Sequence, residues 1–429
     1  MSEKIIRDPV HDVIAFRTDR PLDRLLFNLI NAPEFQRLRR IRQLGMASLA
    51  YPGADHSRYS HSLGVMETAR KMLAQLRQSF PIDEEHLTIC VASALLHDLG
   101  HGPFSHVFER VTGVHHEHLT QRVILDPESE VHQVLAAHEP TLPQRIIAFL
   151  RCDPKRTFYC DIISSQLDAD RFDYLLRDNL MTGSRYGSFD LEWLIHALTI
   201  DQGSDRLAVS WKGVSAVEAY LQARFNMYRN VYFHKVVRSA EGMVKLALQR
   251  ARRLAVQRRL EWPTTEDAAA KALLGQQLSI AQFITLDDVS ILHCFKIWSH
   301  SADPILGQLC KGLLFRRVYK TIDLSRFPDP LMARSALTAA ERALAQAGAD
   351  VGYEIFYDQI ADTPYEVFDP TDAEGASEIL VCDPDNKAIP FTQISPLSRA
   401  LNQQLMFRRI HVAPQWRDLA MQTIKPLVS

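Results

Sequence analysis

The stretch ASALLHDLGHGPFSHVFE, residues 92–109, decides how the chain is read. Its first half continues an apolar run, LTICVASALL, in which Leu87, Val91, Ala94 and Leu95 recur at helical spacing. Gly100 is the expected stop. His97 and Asp98 then fall on the last turn of a mostly buried helix. His97 and His101 share a face if the turn continues. A lone histidine in such a place is ordinarily a hydrogen-bonded core group. An aspartate directly beside it weakens that account, because two potential charges at a buried helix end are costly unless something cationic compensates them.

Two further segments supply groups of the same kind. In SRYSHSLGVMETARKMLAQL (57–76), Leu63, Met66, Leu73 and Leu76 form an apolar stripe, Ser60 is the expected cap, and His61 falls in the first turn. In SSQLDADRFDYLLRDNL (164–180), Asp170, Tyr174 and Arg177 or Asp178 share one helical face. Alone, that aspartate reads as a solvated group or an ion-pair partner of Arg171 or Arg177. Together, His61, the His97–Asp98 pair and Asp170 give two imidazoles and two carboxylates from three helices. The set suits one borderline divalent metal ion per chain and leaves room in the shell for water or substrate oxygens. Manganese, iron, magnesium, nickel and zinc are all compatible with it.

The rest of the chain frames this set. The 429 residues suffice for one large domain or two to three small ones, and the composition, 46% apolar and 23% charged, is ordinarily globular. A formal charge of −2 does not mark a nucleic-acid or membrane protein. Six cysteines, scattered without a CxxC pair, argue against a thiolate zinc site and a disulfide framework. No stretch reaches the roughly 18 apolar residues of a membrane span. The charged start, MSEKIIRDPVHD, lacks the apolar centre of a signal peptide, so a cytoplasmic location is expected.

The fold expected is mainly α: an N-terminal strand or hairpin over 1–20, a helical catalytic body over 21–311, and a smaller α+β lobe over 312–429 packed on the body. VYKTIDLSR, VGYEIFYDQI and ASEILVCD read as short β-rich runs; ALTAAERALAQAGAD reads as a helix stopped by Gly348; PLSRALNQQLMFRRIHVAP reads as a helix running into a strand. The stretch 244–262, with six cations and one acid, could follow a polyphosphate or nucleic acid, but reads better as a solvated helix face with buried aliphatic stems.

The sequence resembles the HD-domain phosphohydrolases, and among them the deoxynucleoside triphosphate triphosphohydrolases, including the mammalian enzyme that carries an extra SAM domain. The motifs are IRDPVHDVI, APEFQRLRRIRQLG, YPGADHSRYSHSLGV, LLHDLGHGPFSHVFE, LDADRFDYLLRD and YFHK, in that order and nearly end to end. No SAM domain is expected, since residue 1 stands almost at the first motif. The resemblance implies His61, His97, Asp98 and Asp170 as metal ligands, not Asp168. It implies His101, His106 and His116 as histidines facing the phosphates. Glu109 stands where the mammalian enzyme has aspartate; three residues from His106, it is expected to orient that imidazole and raise its basicity, with His116 protonating the leaving oxygen.

Phosphate contacts are implied for Arg58, Arg171 and Arg224, with Arg171 replacing a lysine. In LQARFNMYRNVYFHK, Arg224, Tyr228 and Tyr232 recur every four residues, one helical face; Tyr174, Tyr228 and Tyr232 are expected among the substrate-binding residues. Sugar recognition is implied for Gln43, Leu44, Asp178 and Tyr232: a polar pair holds the 3′-hydroxyl, while leucine and tyrosine leave no room for a 2′-hydroxyl. Lys4, Gln36 and Arg39 match positions of a regulatory guanine-nucleotide site. Asn31 replaces the aspartate that reads guanine there, which points away from GTP, toward another nucleotide activator or none.

The expected reaction is hydrolysis of a dNTP to deoxynucleoside and inorganic triphosphate by a dimer or tetramer. The competing readings are an HD hydrolase of another phosphoester (a nucleoside monophosphate, a ribonucleotide or single-stranded nucleic acid) and a nucleotide-binding module without turnover. Nucleic acid is not favoured as a partner, and no membrane is implied.

Overall fold

The structure, a computed structural model, describes residues 3–152, 156–263, 268–325, 327, 329–362, 378–401 and 405–428. The chain opens with an antiparallel hairpin, β1 (Glu3–Asp8) and β2 (Asp12–Arg17), in register from Glu3 opposite Arg17 to Asp8 opposite Asp12. Its turn forms because Asp8 Oδ1 accepts the backbone N–H groups of Val10 and His11. Ile14 and Phe16 seat the hairpin on the core.

Twelve of the helices build the body and the C-terminal lobe. They are α1 (Pro21–Asn31), α2 (Arg58–Leu76), α3 (Glu84–Leu96), α4 (His106–Thr112), α5 (His116–Leu125), α6 (Ala169–Thr182), α7 (Val214–Met227), α8 (Lys235–Val256), α9 (Asp288–Trp298), α10 (Pro304–Leu314), α11 (Pro330–Gln346) and α12 (Arg417–Val428). Helix α3 is the axis of the body. Asp83 caps it by accepting from the N–H groups of Glu85 and His86, and every residue from Ile89 to Leu96 is buried. A helix buried all round must be wrapped by others; α2 and the helices Leu142–Leu150 and Phe158–Ile163 pack on it. Helix α6 starts at Asp168, whose carboxylate accepts from Arg171 N–H, and stops at Gly183, where φ is +68°.

Two small sheets complete the molecule. The hairpin β3 (Leu198–Asp201) and β4 (Arg206–Ser210) was not foreseen: the sequence reads as helical from 21 to about 260, and four- and five-residue strands make too short an alternation to interrupt that pattern. The C-terminal segment supplies the others: β5 (Lys320–Asp323), β6 (Ile355–Asp362), β7 (Leu380–Cys382), β8 (Ala388–Pro390) and β9 (Leu405–Val412). Strand β7 pairs parallel with β4, so this segment returns to finish a sheet begun in the body. Strands β5, β9 and β6 form an antiparallel sheet in that order. Ile322, Ile410, Ala336, Ala340, Leu344, Ala420 and Ile424 give this sheet, α11 and α12 a small core of their own. The protein is thus mainly α, with a smaller α+β lobe. The helix stopped by Gly348 (φ +95°) and the helix-then-strand near residue 400 occur as the sequence predicts.

Cys152 is half-buried and the remaining five cysteines are buried. In the basic stretch, Arg250 pairs with Asp303 at 2.7 Å and Arg252 donates to the carbonyl of Val111, so α8 spends part of its charge on internal contacts. Among the described residues, no helix is long and apolar enough to cross a membrane.

The crossing of α2 and α6 depends on Gly64. A Cβ there would lie 1.8 Å from Asp173 Oδ1 and 2.5 Å from Arg177 Nη2, both on fully buried side chains. Gly64→Ala is therefore expected to destabilise the fold by about 3 kcal/mol, at the upper end of ordinary overpacking costs. An unchanged denaturation midpoint in that variant would show that the helices do not approach this closely.

Candidate active site

Helix α3 ends at Leu96, with His97 at its C-cap, four residues before the expected stop at Gly100. Gly100 has another task. A Cβ on it would meet the His116 carbonyl oxygen at 2.0 Å and Thr120 N at 2.4 Å, so it lets the loop lie against the first turn of α5. The loop is held from outside: Arg37 donates to the His101 carbonyl at 2.8 Å, and Asp288 Oδ1 accepts from Phe104 N–H at 2.8 Å. Phe104 and Ser105 have φ of +51° and +49°, a costly conformation for both residues. That backbone brings Ser105 Oγ within 3.0 Å of Arg58 Nε.

The three segments bring their acids and imidazoles together. His61 Nε2 lies 3.0 Å from Asp170 Oδ1 and 3.8 Å from Asp98 Oδ2. His97 Nε2 lies 3.4 Å from Asp98 Oδ1 and 3.8 Å from Asp170 Oδ1. One donor atom each from His61, His97 and Asp170 falls within a 4.8 Å span. Asp98 borders this trio while its carboxylate also meets Arg58 and, at 3.1 Å, His101 Nε2. The placement of His61 differs in one detail from expectation. Ser57 occupies the cap position of α2 without a side-chain cap, and Ser60 donates to the Ser57 carbonyl.

The donor set fits a divalent cation on two observations. His97 Nδ1 donates to the Ala94 carbonyl at 2.9 Å, so its buried Nε2 is the bare nitrogen, and that atom has no hydrogen-bond partner. His61 Nδ1 is likewise committed, to Asp173 at 2.8 Å, which turns Nε2 toward Asp170. Burial opposes charge on His61, but hydrogen bonds to Asp170 and Asp173 outweigh it and push the imidazole up to about 10. Asp98 is buried and Asp170 partly so, and the loss of solvent raises a carboxyl; Arg58 and the histidines around Asp98, and His61 beside Asp170, nevertheless hold both below the usual range. The centre is built to hold positive charge between ionised carboxylates.

Beside it lies a cavity of about 470 Å³. His106 and His116 line it; Glu109, which does not, has Oε2 3.3 Å from His106 Nδ1 and 3.2 Å from His116 Nδ1, and its Oε1 accepts from His115 at 2.7 Å. One carboxylate thus orients two cavity imidazoles rather than the single one expected. His101 stacks on His116, ring centroids 4.0 Å apart. The expected rise in His106 basicity does not result. Glu109 acts in that direction, but desolvation of the ring, Arg58 and His116 together hold His106 below the usual histidine value even though its side chain stays exposed.

The same cavity is lined by Gln43, Leu44, Tyr174, Asp178, Tyr228 and Tyr232. Tyr232 Oη donates to Asp178 Oδ2 at 2.8 Å, and His56 holds Oδ1 of the same carboxylate at 2.7 Å. Burial and Asp178 keep the Tyr232 hydroxyl protonated well above its ordinary range. Gln43 Oε1 is buried without a partner.

Two expected arginines stand elsewhere. Arg171 pairs with Asp168 and donates to the Ser165 carbonyl at 2.6 Å, while Arg224 donates to Gln166 Oε1 at 2.8 Å; neither lines the cavity. Arg224 keeps its place beside the tyrosines, its guanidinium 5.7 Å from the centre of the Tyr228 ring, but Gln166 holds it and it does not line the cavity; Tyr228–Tyr232 form a π-helical turn. Arg58, Arg110 and Arg238 are the cavity's guanidiniums, the last two unforeseen. The three regulatory positions lie away from it. Lys4 is exposed on β1, and Arg39 donates to Gln36 at 2.8 Å while covering the ring of Tyr59.

Comparison with known proteins agrees with this architecture. The HD domain matches residues 58–176, a range that holds all four acids and imidazoles of the centre, and the HD associated region matches 189–262. The uncharacterized protein YwfO of Bacillus subtilis is 37% identical over 87% of this chain and 83% of its own. A crystal structure of a phosphohydrolase from Bacteroides thetaiotaomicron superposes with a TM-score of 0.81 at 28% identity, covering 96% of this chain and all of that one. The deoxynucleoside triphosphate triphosphohydrolase SAMHD1 homolog of Dictyostelium discoideum is 29% identical over 75% of this chain and 60% of its own. The chain belongs to the HD-domain phosphohydrolase family. Within that family it has a more distant similarity to the deoxynucleoside triphosphate triphosphohydrolases.

Proposed function

We propose that the protein hydrolyses deoxynucleoside triphosphates to deoxynucleoside and inorganic triphosphate. The observation that carries this reading is one cavity lined by His61, Asp98 and Asp170, with His97 grouped beside them, and by the Tyr232–Asp178 pair, Gln43 and Leu44. A phosphate chain and a sugar need those two chemistries side by side. The similarity to named dNTP triphosphohydrolases supports it.

The metal ligands in this reading are His61, His97, Asp98 and Asp170. A divalent ion held by them would polarise a phosphoryl oxygen and lower the pKa of water. The side chains do the rest. Arg58 presents a guanidinium to the phosphates from beside Asp98. Neutral His106, held by Glu109, takes a proton from the attacking water as it adds to the α-phosphorus. The bond from that phosphorus to the 5′ oxygen breaks, and His116 returns a proton to the leaving oxygen. Asp178 accepts from the 3′-hydroxyl, and the Tyr232 ring occupies the space a 2′-hydroxyl would need. A homo-oligomeric, cytoplasmic enzyme, with or without a nucleotide activator at Lys4, Gln36 and Arg39, belongs to the same reading.

The test is a product assay on the four dNTPs and four NTPs with several divalent metals, resolving triphosphate from diphosphate and phosphate. Triphosphate from dNTPs supports the proposal, and phosphate or diphosphate as the first product refutes it. Tyr232→Ala should raise the NTP to dNTP ratio of kcat/KM at least ~10-fold, because a filled space rejects a hydroxyl more strongly than a slack one. Equal loss on both sugars would reduce Tyr232 to a packing residue.

A further inference from the structure

Below the metal donors lies a buried polar network that the reaction scheme leaves unused. Asp173, fully buried on α6, accepts from His61 Nδ1 through Oδ2 at 2.8 Å. Its Oδ1 meets His11 Nε2, also at 2.8 Å, from the turn of the N-terminal hairpin. Arg177 grips both oxygens, Nε to Oδ2 at 2.8 Å and Nη2 to Oδ1 at 2.9 Å. The same guanidinium reaches back to the hairpin, with Nη1 2.8 Å from Asp8 Oδ2. Asp8 in turn shapes the hairpin turn by accepting from His11 N–H at 3.0 Å.

We infer that Asp173, locked by Arg177 and by His11 of the N-terminal hairpin, positions His61 for metal binding. The inference rests on His61 being a metal ligand. A carboxylate on Nδ1 fixes the tautomer with a bare Nε2, sets the ring plane and makes the imidazole a better donor. Nothing nearby lets Asp173 drift. The missing side chain of Gly64 leaves room for the carboxylate and guanidinium, and any Cβ there would strike both. Network and cradle together tie the hairpin, residues 3–17, to the metal centre without touching substrate.

The experiment measures the Kd of the metal-stripped full chain for Mn²⁺ alone, by equilibrium dialysis, beside the thermal midpoint of the same metal-free protein. Asp173→Asn, which keeps the shape and loses the charge, should weaken Mn²⁺ binding about 10- to 100-fold, the scale seen when such supporting partners are removed. His11→Ala should weaken it about 3- to 10-fold, since Arg177 still holds the carboxylate. In both variants excess Mn²⁺ should restore kcat, with KM for the nucleotide unchanged. A merely structural role would lower the thermal midpoint and leave Kd alone, and that result overturns the inference. If Asp173→Asn does not fold, His11→Ala decides, and a Kd within twofold of wild type overturns it. His61→Ala separates the two readings: if it binds Mn²⁺ as tightly as wild type, the ligand assignment itself has failed. If His61→Ala alone loses metal, only the positioning role has failed.

Discussion

Replacing Asp170 with alanine is expected to remove the bound metal and lower turnover by at least ~10³-fold while the fold survives. The side chain is a clean target. It is one-third exposed and sits in the first turn of α6 beside a cap supplied by Asp168. What it does contribute is the oxygen nearest His61 and a second carboxylate against His97. Without it the donors fall to two imidazoles and an Asp98 that Arg58 partly neutralises. Elemental analysis of the purified variant checks this together with circular dichroism. A fully occupied metal site, or wild-type turnover, would contradict the assignment.

The second large effect concerns the imidazoles on the cavity wall. His106→Ala and His116→Ala should each retain metal and nucleotide while slowing turnover by roughly 10²–10⁴-fold, the usual scale of lost general acid–base catalysis. Both rings are oriented by Glu109, so Glu109→Gln should slow turnover too, by less. A pH dependence follows. His106 is held below the ordinary histidine value, and a base works only when unprotonated. Its contribution is therefore complete above pH 6.5 and lost as pH falls through its lowered value. In His106→Ala this acid limb of kcat should disappear. Turnover at the wild-type rate in either alanine variant, or an unchanged acid limb in His106→Ala, would remove the residue from the chemistry.

The proposed metal donors are legible in the sequence because each is a polar residue at the end of an apolar helical run, where burial without a partner would be costly. Their supports are not. Asp173 sits three residues from Asp170 and reads as an ion-pair partner of Arg177, which it also is. Its contacts to His61 and His11 join residues 112 and 162 positions apart, and no local pattern announces them. The hint was the phrase DPVHD, whose Asp8 and His11 sit in a turn and yet are both buried. Arg224 shows the opposite failure. The four-residue spacing does bring its guanidinium to the Tyr228 ring, but Gln166, 58 residues away in sequence, holds its Nη1, and it does not line the cavity that Tyr228 and Tyr232 line. Arg110 and Arg238 had no signal at all, since a surface arginine and a cavity arginine look alike in sequence.

The site also explains why so much histidine is gathered at residues 97–116. His97 is committed through Nδ1 to backbone, His101 to Asp98, and His106 and His116 to Glu109. His97, His106 and His116 therefore each have one nitrogen fixed and the other left for metal or substrate, while the second nitrogen of His101 is buried without a partner. That division of labour needs no two of them to compete for the same partner except at Glu109, whose carboxylate burial tends to raise but the surrounding imidazoles keep ionised, below its usual range.

The central claim is water attack at the α-phosphorus of a dNTP, and one measurement addresses it most directly. The manganese-loaded protein is given a dNTP in H₂¹⁸O, and the products are followed by ³¹P NMR and mass spectrometry. The account predicts deoxynucleoside and inorganic triphosphate in equal amounts, with one ¹⁸O on a terminal phosphate of the triphosphate and none in the nucleoside. Label in orthophosphate or in a deoxynucleoside mono- or diphosphate, or label on the 5′ oxygen of the nucleoside, would contradict it.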